Sequence, residues 1–263
     1  MKNYILVLLI TFGVTAHAQR VLIVDNEKLA PIVTGEYKAN LVTPNAEPAE
    51  SRVSYSYFGF TEEAYKKKVN ELIYDYVHEV AIDTAYIHPI TEGLSLQFFK
   101  DAINNFFESY NYVRFKLNVD DLPPYLLYMD IRIDTSSLKN YVVLTEESDL
   151  YTGGAHFIKY NDYKVVEKAS AEIITWNKLL KDSTSFMEVA EKYFRKVEKL
   201  KKGMDYSSYF FESGKFEPSR NFIFTKKGMT MIYQPYEARE WARGYIIVKI
   251  PKNKIKKYLH FNW

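Results

Sequence analysis

Tyr151-Thr152-Gly153-Gly154-Ala155-His156 interrupts a run of β-type sequence. Before it stand Tyr125 to Asp134 and Leu138 to Thr145, which read as two strands paired across a turn at Ser136-Ser137; after it, His156 to Val166 reads as another. Glycine reaches backbone angles closed to other residues, so Gly153-Gly154 reads as a tight turn or bulge between strands. The pair is no phosphate loop, because no Gly-Lys-Ser/Thr follows and no GxGxxG is present. A second unusual segment, Tyr233-Gln234-Pro235-Tyr236-Glu237, carries a proline that removes a ladder donor and bends the chain. Tyr236, Trp241 and Tyr245 follow one another closely around Glu237 and Glu240. Aromatic faces beside carboxylates suit a sugar-binding surface, and they equally suit a covered sheet edge. Tyr151, Gly153, Gly154, His156, Tyr236 and Trp241 are therefore candidate binding residues, with a purely structural corner of the sheet as the alternative.

Helices are written in the 3.6-residue period. From Thr61, with Glu62 and Glu63 at the positive end, Tyr65, Val69, Leu72, Ile73, Tyr76, Val77 and Val80 share one face. Lys66, Lys67, Glu71, Asp75 and Glu79 share the other, with His78 near its edge and expected in solvent. A second helix over Ser95 to Tyr110 places Phe99, Ala102, Ile103, Phe106, Phe107 and Tyr110 in one stripe, which core packing explains. Val113, Phe115, Leu117 and Val119 then alternate with Arg114, Lys116 and Asn118, the period of a half-buried strand broken by Asp120 to Pro124. A third helix follows Ile174 to Leu180: Ser185 and Glu188 have capping-box spacing, and Phe186, Val189, Ala190, Tyr193, Phe194 and Val197 form its apolar face. Lys199, Lys201 and Lys202 crowd its expected last turn, with Gly203 as the stop. Asn221 to Thr225 and Met229 to Tyr233 read as a hairpin, Gly244 to Ile250 as a last strand, and Asn253 to Leu259 as a short basic helical tail. Toward the N-terminus, Val21 to Val24, Ile32 to Val42 and Ser54 to Phe60 read as strands, with a loop around Pro44 and Pro48. The expected fold class is α+β: antiparallel sheets with three main helices packed on them.

Lys2, the apolar run Tyr4 to Val14 and Ala16-His17-Ala18 have the order of a secretory signal cleaved before Gln19. Eleven residues are too few to span a bilayer, which needs about 20, and no later apolar run reaches that length. The expectation is a secreted or periplasmic protein with no membrane span after cleavage. The absence of cysteine excludes disulfides, thiolate metal sites and a cysteine nucleophile. A net charge of +2 provides no broad field for nucleic acid or an anionic surface. Tyrosine is abundant, 23 of 263 residues, which suits half-buried strands and amphipathic binding faces.

Catalytic constellations are sparse. HExxH, GxSxG and clusters with metal-ligand spacing are missing from the sequence, so no metal or other cofactor is expected. Asp120-Asp121, Glu146-Glu147 and Asp149 are the carboxylates close enough in sequence to suggest glycoside hydrolysis, but neighbours on a strand face opposite sides.

The segments Tyr151 to His156, Trp176-Asn177-Lys178-Leu179-Leu180, Phe222 to Phe224, Tyr233 to Glu237, Gly244 and Ile250-Pro251 resemble, in this order, the RsiV-like family of extracytoplasmic C-terminal domains. The resemblance covers about 148–259. Residues 51–147 are similar to the PdaC-type domain that precedes it, through the helix bearing Val69-Asn70-Glu71-Leu72-Ile73. Together these imply a signal peptide at 1–18, N-terminal strands and a loop at 19–50, a first domain at 51–147 and a second at 148–263. The family implies an α+β fold in the cell envelope; in RsiV the region is the extracellular sensor that binds lysozyme. The catalytic domain of PdaC has no counterpart in this sequence. Family members commonly carry glycine or proline after the Gly-Gly-Ala-His segment, where this chain has Phe157. The expected function is a non-enzymatic envelope binding module for peptidoglycan, another glycan or an envelope protein such as lysozyme. The alternatives are an envelope hydrolase using His156 with a carboxylate, and a structural or assembly protein.

Overall fold

The computed structural model describes residues 22–24, 32–42, 47–81, 92–119, 121–201 and 203–260. The signal reading at 1–18 and Pro44 of the expected loop lie outside them. The fold is α+β. Strands β1 (Leu22–Val24), β2 (Ile32–Leu41), β3 (Ala49–Phe58), β4 (Leu126–Asp134), β5 (Tyr141–Tyr151) and β6 (Ile158–Glu167) form one sheet in sequence order. All neighbours are antiparallel except β3 and β4. A parallel pair needs a long crossover, and helices α1 (Ala64–Ala81) and α2 (Leu96–Asn111) supply it.

Both helices lie on one face of that sheet. Val69, Ile73 and Val77 of α1 and Phe98, Phe99, Ala102 and Ile103 of α2 are fully buried against Val53, Leu127, Ile131, Val142 and Leu144. The α2 stripe read from the period is wholly buried, and Ser95 caps the helix by accepting from the Phe98 amide at 3.1 Å. Two expectations on α1 are corrected. Lys66, assigned to the polar face, is 1% exposed: its ammonium lies over the Phe58 and Tyr65 rings and pairs with Glu63. His78, expected in solvent, packs its ring 4.4 Å from Tyr74 and 6.0 Å from Phe98, and its Nε2 is buried.

The expected strand at Val113 to Val119 is also corrected. The chain continues from α2 into a π turn at Tyr112–Lys116, closed by Leu117 N–H donating to the Tyr112 carbonyl at 3.2 Å. Val119 N–H likewise bonds back to Arg114, and Asn118 takes a left-handed φ of 54°. With no neighbouring strand to pair, the alternating side chains have no pleated surface to cover, and Phe115, Leu117 and Val119 stay exposed.

The second module contains α3 (Trp176–Leu179), α4 (Ser183–Val197), the sheet β7 (Phe222–Thr225), β8 (Gly228–Tyr233) and β9 (Ile246–Pro251), and α5 (Lys252–Ile255). The described residues thus hold five α-helices rather than three; two of them are single turns. Phe186, Ala190 and Phe194 of α4 are fully buried among Met231, Val248 and Ile250. The expected capping box gives way to Asp182, whose carboxylate accepts from the Ser185 amide at 3.0 Å. The helix also ends earlier than read: Lys199, at φ 54°, takes the left-handed stop position assigned to Gly203.

Successive residues on a strand face opposite sides, and β5 and β6 use both. Val142, Leu144 and Val166 enter the helix-side core, whereas Tyr141, Val143 and Val165 enter the core of the second module. The module therefore covers one end of the sheet's second face and leaves the other end open. The 147/148 division read from the sequence falls inside β5, which is paired on both edges.

Candidate binding site

The two sequence motifs meet. Gly153 lies in the turn leaving β5 at φ 89°, and a Cβ there would come within 3.4 Å of the Pro123 ring; Gly154 is not left-handed and has no atom nearer than 3.9 Å. Only the first glycine of the pair is therefore required by the backbone. The turn carries His156 to the loop after β8. The His156 ring stacks on Trp241 at 4.0 Å and 11°, and its Nε2 lies 3.2 Å from the Tyr236 hydroxyl. Its Nδ1 is 3.2 Å from the Phe157 carbonyl. A proton on Nδ1 would donate to that carbonyl and leave Nε2 to accept from Tyr236. The ring partners of His156 include no carboxylate.

Tyr236 reaches His156 because it adopts φ 72°, a turn secured by Tyr236 N–H donating to the Arg239 carbonyl at 3.0 Å and by Gln234 N–H donating to Glu237 at 2.7 Å. Gln234 also grips the outer edge of β6. Its amide bonds both the N–H and the carbonyl of Asn161, while Asn221 accepts from the Tyr163 amide at 2.8 Å and donates to the Asn161 carbonyl. Two side-chain amides thus stand in for a seventh strand and cover an edge that would otherwise be open to pairing. Trp241 and Tyr245 are held from behind. Arg239 donates to Glu198 at 2.5 Å, to the Arg243 carbonyl at 2.9 Å and to the Tyr245 carbonyl at 3.5 Å. Glu198 is only 4% exposed and also accepts from Tyr209 at 2.8 Å. His156, Tyr236 and Trp241 of the candidate set are therefore brought together as a clasp between sheet and module. Tyr151 stands apart, its ring 5.2 Å from Phe157.

Beside the clasp lies a cleft of about 400 Å³. Its floor is the uncovered end of the sheet's second face, and Tyr245 of the module forms one wall. Strand register lines up two rows of side chains on consecutive strands: Arg52, Tyr128, Asp149 and Lys159; and Ser54, Asp130, Glu147 and Asn161. Neighbouring strands lie about 4.8 Å apart, so each row extends roughly 14 Å. Every charge in the cleft is already matched. Arg52 pairs with Glu36 at 2.6 Å, Lys159 with Asp149 at 2.9 Å, and Arg132 spans Glu147 at 2.8 Å and Asp130 at 3.4 Å. This bridge matters because Asp130 and Glu147 sit directly opposite each other, an arrangement that is otherwise repulsive.

Tyr128 donates to Glu50 at 3.3 Å, but three other neutral groups are free. Among the described residues, the side chains of Ser54 and Asn161 and the hydroxyl of Tyr245 form no hydrogen bond. Burial, together with the facing Asp149, Glu147 and Tyr163, pushes the Tyr245 phenol up to about 12. Burial and Glu147 do the same to Tyr163. Both phenols remain proton donors at physiological pH.

Of these cleft residues, sequence reasoning named Tyr245, as one of the aromatics around Glu237 and Glu240, and Glu147 and Asp149, which it set aside as neighbours in sequence. Glu146 and Glu147 do face opposite sides, yet Glu147 and Asp149, two apart, share the cleft face. The available signal was period-two polarity in four strands: Arg52/Ser54, Tyr128/Asp130/Arg132, Glu147/Asp149 and Lys159/Asn161/Tyr163.

Residues 176–253 match the family model described as "Protein of unknown function (DUF3298)". The match covers α3, α4 and the three-stranded sheet. A crystal structure of a DUF3298 family member from Bacteroides fragilis is similar with a TM-score of 0.66 at 16% identity, covering 95% of this chain and 96% of that one. A DUF3298 family protein from Pseudomonas aeruginosa is similar with a TM-score of 0.57 at 14% identity, covering 89% of this chain and 95% of that one. These likenesses establish the fold across nearly the whole chain. No match was found among curated proteins.

Proposed function

We propose that the protein is an exported, non-catalytic cell-envelope module that binds a neutral glycan of the peptidoglycan class in the cleft beneath Tyr245. The observation that carries this reading is the division of labour in the cleft: its charged side chains are each in an ion pair, whereas the side chains of Ser54 and Asn161 and the Tyr245 hydroxyl are free. A charged ligand would have to compete with an existing ion pair for its partner, which at these half-exposed positions leaves it little net gain. Sugar hydroxyls can donate to the remaining carboxylate lone pairs and bond to Ser54, Asn161 and Tyr245 without doing so. The volume is within the range of small-ligand sites, roughly 300–1,000 Å³. The signal-like N-terminus and the RsiV-like and PdaC-type resemblance support the envelope setting.

The test is retention of the purified protein on isolated sacculi, with lysozyme-coated beads in parallel. Retention on sacculi is the expected result, weakened about tenfold or more by Asn161→Ala or Tyr245→Ala through loss of one or two hydrogen bonds. Retention by lysozyme alone would replace the glycan with an envelope protein as ligand. Retention by neither would refute the binding role.

A further inference from the structure

A second cleft, of about 460 Å³, runs along the outer edge of β6, between Tyr160 to Asp162 and the module's segments around Phe210, Arg220 and Gln234. Its volume is also within the small-ligand range, roughly 300–1,000 Å³. Asn161 is the residue the two clefts share, and the glycan reading uses nothing else in this one. Phe211 and Tyr233 line it and are buried, whereas Phe210 keeps 53% of its surface in solvent. That exposed ring is not on a free chain: Phe210 N–H donates to the Ala238 carbonyl at 2.9 Å.

The charges here are arranged unlike those of the first cleft. There every charged side chain is in an ion pair. Here, among the described residues, Arg220, Glu212, Glu217 and Glu237 are in none, and Asp162 alone of the charged lining is paired, with Lys164 at 2.6 Å. Glu217 accepts from the Ser213 N–H at 2.8 Å and the Ser213 hydroxyl at 2.7 Å, and Glu237 accepts from the Gln234 N–H at 2.7 Å. These donors are neutral, so they leave the carboxylate charge uncompensated. The bonds from Ser213 hold the Glu217 carboxyl below its ordinary range, with a smaller contribution from the charge of Arg220. Burial raises the Glu237 carboxyl against the opposing bond from Gln234 and the charge of Arg220. Three unpaired carboxylates thus share the cleft with one unpaired guanidinium, and counting Lys215, near Glu217 in sequence, still leaves acid in excess.

The complement is a molecule with charges of both signs, more positive than negative. A purely anionic ligand would meet three carboxylates, and a purely cationic one would leave Arg220 unanswered. The guanidinium fork matches a carboxylate through two parallel hydrogen bonds. The carboxylates accept ammonium groups, and the aromatic rings cover the apolar parts between. We propose that this cleft binds a short basic peptide with a free C-terminus, its carboxylate at Arg220, its ammonium groups at Glu217 and Glu237, and Phe210 against the chain between them.

The experiment is an amide-resolved NMR titration of the purified protein with the tripeptide Ala-Lys-Ala. Its C-terminal amide, which lacks the carboxylate, and acetyl-Ala-norleucine-Ala, which lacks both ammonium groups, are titrated in parallel. The expected result is saturable shifts at 160–162, 210–212, 217–221 and 234–237 with the tripeptide. Affinity should be about tenfold lower or worse for either analogue, since each has lost charge-assisted hydrogen bonds. Arg220→Gln should weaken the free-acid peptide about tenfold and leave the amide unchanged, a difference that loss of structure would not produce. Arg220 is exposed, so the variant should keep its melting temperature. No shifts with excess tripeptide, equal affinity for the amide, or unchanged affinity in the folded Arg220→Gln variant overturns the proposal. Shifts centred on Ser54 and Tyr245 and lost in Tyr245→Ala would place the peptide in the first cleft and overturn it as well. Sacculus binding through the first cleft stands or falls separately.

Discussion

The two faces of the six-stranded sheet are written by the same strands and do opposite things. The helix-covered face buries Val53, Leu127, Ile131 and Leu144. The other face presents Arg52, Asp130, Glu147 and Lys159 to an open cleft. On the first face each residue works by filling space, and its neighbours are exchangeable in kind. On the second, each charged residue is matched to a named ion-pair partner on its own or the next strand. The helix face also holds an exception, Glu146, fully buried and paired with Lys164. The contrast teaches that stability is concentrated on one face and in the struts of the second module, leaving the open face free to carry ligand chemistry.

The largest expected effect lies in the module. Arg239→Ala removes the close cation from the buried Glu198 carboxylate, leaving Tyr209 at 2.8 Å and the more distant Arg243 at 3.7 Å, and should cost about 3 kcal/mol, read as a fall in denaturant midpoint. A loss below about 1 kcal/mol would show that Arg243 takes over the pairing with Glu198. Next comes the helix face: Leu127→Ala should cost about 2–5 kcal/mol, whereas Asn161→Ala on the cleft face should stay within roughly 0.5 kcal/mol. Equal losses at the two sites would erase the distinction between the faces.

The exception on the helix face has a pH signature. Burial outweighs the attraction of Lys164 and holds Glu146 up at about 7, against 4.5 ordinarily. Burial alone would lower Lys164, but Glu146 and Asp162 outweigh it and raise that ammonium. A carboxyl raised in the folded state binds its proton more tightly there than in the unfolded chain, so it favours folding at low pH. Its contribution is fully present below about 4.5 and declines as pH rises to about 7. Stability relative to Glu146→Gln should therefore fall over that window. A relative rise would mean that the ion pair dominates.

The smallest effects separate the two glycines. Gly153→Ala forces a Cβ into a left-handed turn at a cost of about 1–2 kcal/mol. Gly154→Ala should be neutral or stabilising by roughly 0.5 kcal/mol. Comparable destabilisation by both would restore the pair as a single requirement.

What was legible in the sequence follows from the range of the interactions. Helices α1, α2 and α4 could be read because their faces repeat within a few residues, and the β7–β8 hairpin because its turn is local. Lys66 was misplaced by its charge: the helical period sets it on the apolar face with Val69, Ile73 and Val77, where the Phe58 ring from another element receives its ammonium. Phe115, Leu117 and Val119 alternate like a strand, but pairing depends on neighbours that the sequence does not name. The motifs at 151–156 and 233–237 were visible as unusual; their contact through His156, Tyr236 and Trp241 required the fold. The cleft was hidden for the same reason, since its rows join residues more than a hundred positions apart.

The most direct test of the account is an amide-resolved NMR titration of the folded protein with a soluble peptidoglycan glycan fragment. The account predicts saturable shifts confined to Ser54, Asp130, Glu147, Asn161 and Tyr245 and their immediate neighbours, with those of α1 and α2 unchanged. No shifts at saturating glycan, or shifts centred away from the cleft, would contradict it.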